Sequence, residues 1–149
     1  LVAEPARAAG VPVSVIAPIE DVISAFGSLG PEELDRLLLE AFAAVPHEED
    51  LKATLEALYE AERIAAIMEF NIWFSEELGT VPDSRASAAA LERALLSRRN
   101  REWLPTLAAE MRQGGAFAAV GALHLPGEDG LVSMLEREGF GVTRVPLAR

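Results

Sequence analysis

Phe117-Ala-Ala-Val-Gly-Ala-Leu-His-Leu-Pro-Gly-Glu-Asp-Gly130 is the stretch on which the fold reading turns. Phe117 to Val120 is an apolar run between glycines, too short for a helix, and reads as a buried strand. Gly121 permits a sharp turn or a close approach to the backbone. His124 sits where the strand should end. Glu128 to Glu138 then reads as a helix with Leu131, Met134 and Leu135 inward, closed by Gly139 in a left-handed cap. Val142-Thr-Arg-Val145 reads as a last strand. Strand, helix and strand over about 30 residues have the size of a right-handed parallel crossover.

Upstream, Val11-Pro-Val-Ser-Val-Ile-Ala17 is rich in β-branched residues between Gly10 and Pro18, and predicts another strand. Pro12 restricts it to a first or edge position. Ile19 to Phe26 reads as a short helix. Pro31-Glu32-Glu33 opens the next helix, with Pro at the first position and acids at the positive end of the dipole. Pro46 stops it. From His47 to Gly79 there is no glycine or proline, which predicts one long helix. Residues 88–112 read as helix, kinked at Pro105. The expected fold is therefore α/β, a small mostly parallel sheet of about three strands with a large helical insertion. Residues 1–29 would hold a strand and helix, 30–113 the helices, and 114–149 the strand–helix–strand unit, within a single partial domain. Beginning at Leu1, the chain is expected to be processed or cut from something longer. Open sheet edges would favour a homo-oligomer or an exchange of elements with another chain.

Composition removes several function classes. Of 149 residues, 24 are acidic and 13 basic, a net charge of −11, so the clustered cations that nucleic acid requires are missing. No cysteine is present, which removes disulfides, thiolate metal sites and cysteine nucleophiles. No apolar run reaches the roughly 18 to 20 residues of a membrane span. The 50% hydrophobic content is enough for a core.

Chemistry-bearing residues are few. His124, at the end of a predicted parallel strand, is where open α/β sheets bind ligands. A neutral imidazole there can ligate a metal or move a proton, and it can equally be a structural histidine bonded to the loop. Arg93, Arg98, Arg99 and Arg101 cluster in an otherwise acidic chain. Arg98 finds Glu102 at i+4, whereas Arg99 has Leu95 and Trp103 at i−4 and i+4 and no acid. An unpaired Arg99 beside Asn100 suits a substrate carboxylate or a catalytic glutamate, and a solvated helix face explains it as well. Glu20 follows the first predicted strand, where an α/β site would want a carboxylate, although acids also simply begin helices. Glu128 and Asp129 are either partners of His124 or first-turn acids of the following helix.

Arg99-Asn100-x-x-Trp103, the stretch 117–130, and Leu135-x-x-x-Gly139-Phe140-x-Val142 together resemble the TraB/GumN family. That family includes bacterial envelope proteins, the pheromone-shutdown proteins and the Tiki metalloproteases. Ile19-Glu20 resembles the Leu-Glu pair of a family segment. The family pattern has two Gly-x-x-His motifs, and this chain carries the second, Gly121 to His124. The resemblance thus implies the carboxyl-terminal half of such a domain, complemented by an amino-terminal half. It implies an envelope or periplasmic setting and divalent-metal-dependent hydrolysis of a peptide or small-molecule substrate. Mn, Co or Zn would be the metal, His124 a metal ligand or catalytic histidine, and Arg99 and Glu20 its partners. A catalytic zinc-type site needs about three protein ligands, so the chain alone is expected to be inactive. Two other readings stand beside this one. One is a non-catalytic helical interaction module with a structural His124. The other is a helix-lined pocket for an apolar ligand or haem, with His124 or a Met as axial ligand.

Overall fold

The computed structural model describes residues 3–80 and 82–146, and among them every regular element is helical. Eight α-helices follow in order: α1 Ala3–Ala8, α2 Ile19–Gly27, α3 Pro31–Ala44, α4 Glu48–Glu60, α5 Ile64–Leu78, α6 Ser84–Glu92, α7 Arg98–Gln113 and α8 Leu131–Arg137. Short 3₁₀ turns cover Val45–His47 and Ala122–His124, and a π-helical segment, Arg93–Ser97, joins α6 to α7.

The expected α/β fold is not what the chain forms. Val11 to Ala17, Phe117 to Val120 and Val142 to Val145 contain no strand and no ladder among the described residues. A helix satisfies its backbone groups within its own segment, whereas a strand needs a neighbour at the right distance and register. β-branched residues favour an extended backbone but do not supply that neighbour. Phe117 is 79% exposed and Val145 82%, so the expectation of a buried strand fails on burial as well as on pairing. The first of these segments still contributes to the core, because Ile16 and Ala17 pack there.

Several helix boundaries follow the punctuation of the sequence, but α6 starts at Ser84 and not at residue 88, α8 starts at Leu131 and not at Glu128, and the expected long helix is broken. Pro31 stands at the start of α3 behind an extended Gly30, and Pro46 lies in the 3₁₀ turn that ends it. Gly79 takes φ 60 after α5. The expected single helix from 48 to 78 breaks at Glu62, which adopts φ 57. Arg63 N–H donates to Leu58 O at 2.9 Å, closing the end of α4, and α5 begins in a new direction at Ile64. A non-glycine residue in that region is disfavoured by roughly 1 kcal/mol. Glu62 is held by an ion pair with Arg144. At the other end of the chain, Gly139 takes φ 91 and its N–H reaches Glu136 O, while Phe140 N–H reaches Leu135 O. That is a Schellman closure of α8.

The core is narrow. Trp103 and Leu107 of α7 meet Leu131 of α8, with Ile16, Ala17, Met111 and Val120 packed around them. Pro105 sits within α7 without ending it. By contrast α3, α4 and α5 contain no buried residue. The apolar stripe of α3 that includes Leu34, Leu38 and Phe42 lies exposed, as do Ile19 and Ile23 of α2.

Candidate functional site

The π segment sets the orientation of α7. Its wide turn allows Ser97 Oγ, five residues on, to donate to Glu92 Oε1 at 2.9 Å. Ser97 and Asn100 are almost fully buried, and α7 begins with Asn100 facing inward. π turns of this kind recur at functional sites.

Asn100 ties α7 to the turn that carries His124. Its Nδ2 donates to His124 O at 3.2 Å and to Asp129 O at 2.8 Å. Two carbonyl acceptors identify that amide atom as the nitrogen, so the other is the oxygen. Oδ1 lies 2.7 Å from His124 Nδ1. An amide oxygen only accepts, so Nδ1 must carry the hydrogen and donate to it. The lone pair of the neutral ring is therefore on Nε2. Three bonds made by one side chain thus fix the turn, the ring orientation and the tautomer.

The ring is also held by its face. His124 is 6% exposed, and its centroid lies 4.5 Å from that of Trp103 at an interplanar angle of 39°. Arg99 lies over Trp103, with Cζ 4.7 Å from the ring centroid. Burial holds the His124 pKa below the ordinary histidine value, and the nearby Arg99 cation lowers it further. Both causes act against the charged imidazolium. At neutral pH His124 is a neutral base with a known free nitrogen.

The loop after His124 is pinned by the backbone. A side chain at Gly130 would overlap the carbonyl oxygens of Leu125 and Pro126. Gly127 takes φ 88, and its carbonyl accepts from Gly130 N–H and Ser133 Oγ. Asp129 lies in this loop, before α8 starts, and pairs with Arg101 at 2.7 Å on the surface. Gly121 is different. Its φ of −60 is open to any residue, and a Cβ there would meet His124 Cδ2 at an ordinary 3.5 Å. Nothing in the backbone requires glycine at 121.

Of the residues singled out in the sequence, Arg99 and His124 come together and Glu20 does not join them. Glu20 is exposed in the first turn of α2, with no ion pair or hydrogen bond to Arg99, Asn100 or His124. His47 lies edge-on to Phe74, 5.7 Å between centroids. Asn100 and Trp103, expected only as neighbours of Arg99 in the Arg99-Asn100-x-x-Trp103 motif, are the residues that hold His124. Their spacing, one and four residues after Arg99, was the available signal.

A cleft of about 370 Å³ opens next to this group, lined among others by Met68, Glu69, Glu92, Asn100, Leu123 and Asp129. His124 does not line it. No group of three or more His, Asp or Glu side chains converges as a metal site among the described residues.

The family model described as TraB/PrgY/gumN family matches residues 1–144. The chain belongs to that family. The match takes in the helical middle, where no motif was visible, as well as the Arg99–Gly130 region. No curated protein and no solved structure matches the chain. For this TraB/PrgY/gumN member, no helix among the described residues is long and apolar enough to cross a membrane.

Proposed function

We propose that the chain carries the histidine of a hydrolytic site for peptide-type substrates, the activity implied by the TraB/GumN resemblance, and that the site is incomplete on this chain alone. One observation carries the reading: His124 is neutral, tautomerically fixed and positioned by a buried amide, which is more than a space-filling histidine needs. Nε2 is the atom that takes a proton from an attacking water and returns it to a leaving amine. Asn100 keeps Nδ1–H paired throughout, so the ring does not turn over between the two steps. Burial, with Arg99 adding to it, keeps the resting ring in the unprotonated form.

A divalent metal would take the one Nε2 lone pair in place of the proton, so that Nε2 would serve as a ligand and not as the base, and the ordinary role of the ion would be to polarise the scissile carbonyl or a bound water. The described residues do not fit such an ion by themselves, since a catalytic site of this kind takes about three protein ligands and they offer one imidazole nitrogen. No step is therefore assigned to a metal. The missing donors would come from a complementing segment or chain.

The test uses the purified chain with Mn²⁺, Co²⁺ or Zn²⁺. The expected result is no peptide hydrolysis above background, together with selective broadening of the His124 imidazole signals by Mn²⁺. His124→Gln removes that broadening and lowers the metal retained after dialysis. Metal content unchanged by His124→Gln, with the His124 signals untouched by Mn²⁺, would overturn the reading. That outcome would favour a non-catalytic interaction module, for which the exposed apolar faces of α2 and α3 are the supporting observation.

A further inference from the structure

Among the clustered arginines, Arg99 is the exception. Arg98 pairs with Glu102 at 3.7 Å and Arg101 with Asp129 at 2.7 Å, both on the surface. Arg99 is half-buried and has no carboxylate within ion-pair distance among the described residues. Its Nε is fully covered and makes no hydrogen bond. Nη1 reaches one backbone oxygen, that of Leu95, at a long 3.3 Å. The cation rests over the Trp103 ring, Cζ 4.7 Å from its centroid. Leaving a buried donor unpaired is unfavourable, and a partly desolvated cation is more so. In a chain with a net charge of −11 there is no shortage of acids to pair with it. None has been placed there.

A guanidinium resting on an indole, with Nη1 held only by one long bond to Leu95 O and no bond to Nη2 among the described residues, offers those two terminal nitrogens end-on to a carboxylate, which the fork binds through two parallel N–H bonds. We propose that Arg99, laid on Trp103, is the docking point for a carboxylate of the ligand. The inference rests on the hydrolytic reading for the fate of the docked chain, but not for the docking itself. The carboxylate comes either from the carboxyl terminus of a peptide or from an Asp or Glu side chain within one. Arg99 is a binding residue here; it neither gives nor takes a proton. Docking on Arg99 fixes one end of the bound chain beside Trp103, the ring that also packs against His124.

The experiment is a fluorescence titration in a Trp73→Phe background, which leaves Trp103 as the reporter. The probes are short peptides that differ at one end: acetyl-Ala-Ala-Ala with a free carboxylate, the same peptide amidated, and amidated versions bearing a central Glu or Gln. A carboxylate-bearing probe is expected to change Trp103 emission saturably, and its neutral partner to bind roughly tenfold or more weakly. Preference for the free terminus over the Glu side chain, or the reverse, identifies the source. Arg99→Gln should abolish the discrimination and Arg99→Lys should keep part of it, while Arg98→Gln, a surface pair, should leave it intact. Equal response to charged and neutral probes, or discrimination that survives Arg99→Gln, overturns the proposal. His124→Gln is expected to retain carboxylate binding. Native His124 signals untouched by Mn²⁺, with carboxylate discrimination intact, would therefore fail the hydrolytic reading alone, and a native Mn²⁺ response without carboxylate discrimination would fail this one.

Discussion

Replacing Asn100 with alanine removes three hydrogen bonds at once, to His124 Nδ1, His124 O and Asp129 O. Each contributes about 1 kcal/mol net, and stranding the buried Nδ1–H adds about 1–3 kcal/mol more. A water entering the space left by the amide would recover part of this. The sum is a loss of roughly 3–5 kcal/mol, a large share of the ~5–15 kcal/mol available to a folded domain. For a chain of this size that corresponds to a fall in Tm of about 6–20 °C, measured by circular dichroism at 222 nm. Asn100→Asp separates the two duties of the side chain. It places an oxygen against the carbonyls of His124 and Asp129, so it also destabilises. At the same time it sets a carboxylate beside Nδ1–H, which favours the imidazolium. The His124 pKa, followed by its imidazole carbon–proton signals, should move up relative to the native chain. An Asn100→Ala Tm within about 3 °C of the native value would refute the network of bonds around the ring. So would an unmoved His124 titration in Asn100→Asp.

Three further outcomes are expected. The folded His124 pKa lies below its unfolded value of about 6.5, so the unfolded chain takes up the proton first. Stability contributed by this group is complete above pH ~6.5 and falls as pH drops from there toward the folded pKa. Urea midpoints from pH 8 to 5 should show a decline that His124→Gln reduces; a pH-independent difference between the two proteins would contradict it. Gly130→Ala forces a side chain into two backbone oxygens and should cost at least ~1–3 kcal/mol, whereas Gly121→Ala should cost less than ~1 kcal/mol, both by urea denaturation. Equal effects would show that the loop is not packed as described. Arg101→Gln, which breaks an exposed pair with Asp129, should change stability by no more than about 1 kcal/mol, and less at high salt.

Much of the helical layout was legible because it is written in local chemistry. Pro31, Pro46, Gly79 and Gly139 each act on the backbone at their own position. Glu62 was not legible as a break, since nothing about a glutamate announces a left-handed conformation; the bonds of Glu62 and Arg63 N–H to Tyr59 and Leu58 O, and the pair with Arg144, accompany it. The strands were misread for the opposite reason. Valine-rich runs state a preference for extension, and whether a neighbour exists to complete the ladder is a property of the rest of the structure. The candidate site was half visible. Arg99 and Trp103 are one helical turn apart and could be paired on paper. The bond from Asn100 to His124 crosses 24 residues and a change of direction, and no local pattern encodes it.

The π segment before α7 has a bearing on how this region tolerates change in length. Its wide turn absorbs one residue more than a regular helix needs between Glu92 and Arg98. Deleting Ala94 would let the segment close as α-helix, with α6 and α7 keeping the faces they now present. Ser97 would then stand four residues from Glu92, a spacing at which side chains on one helix still meet. The same deletion inside α7, at Arg101 or Glu102, has no slack to draw on. It would turn Trp103 by about 100° relative to Asn100, and the amide and the indole could no longer hold the imidazole together.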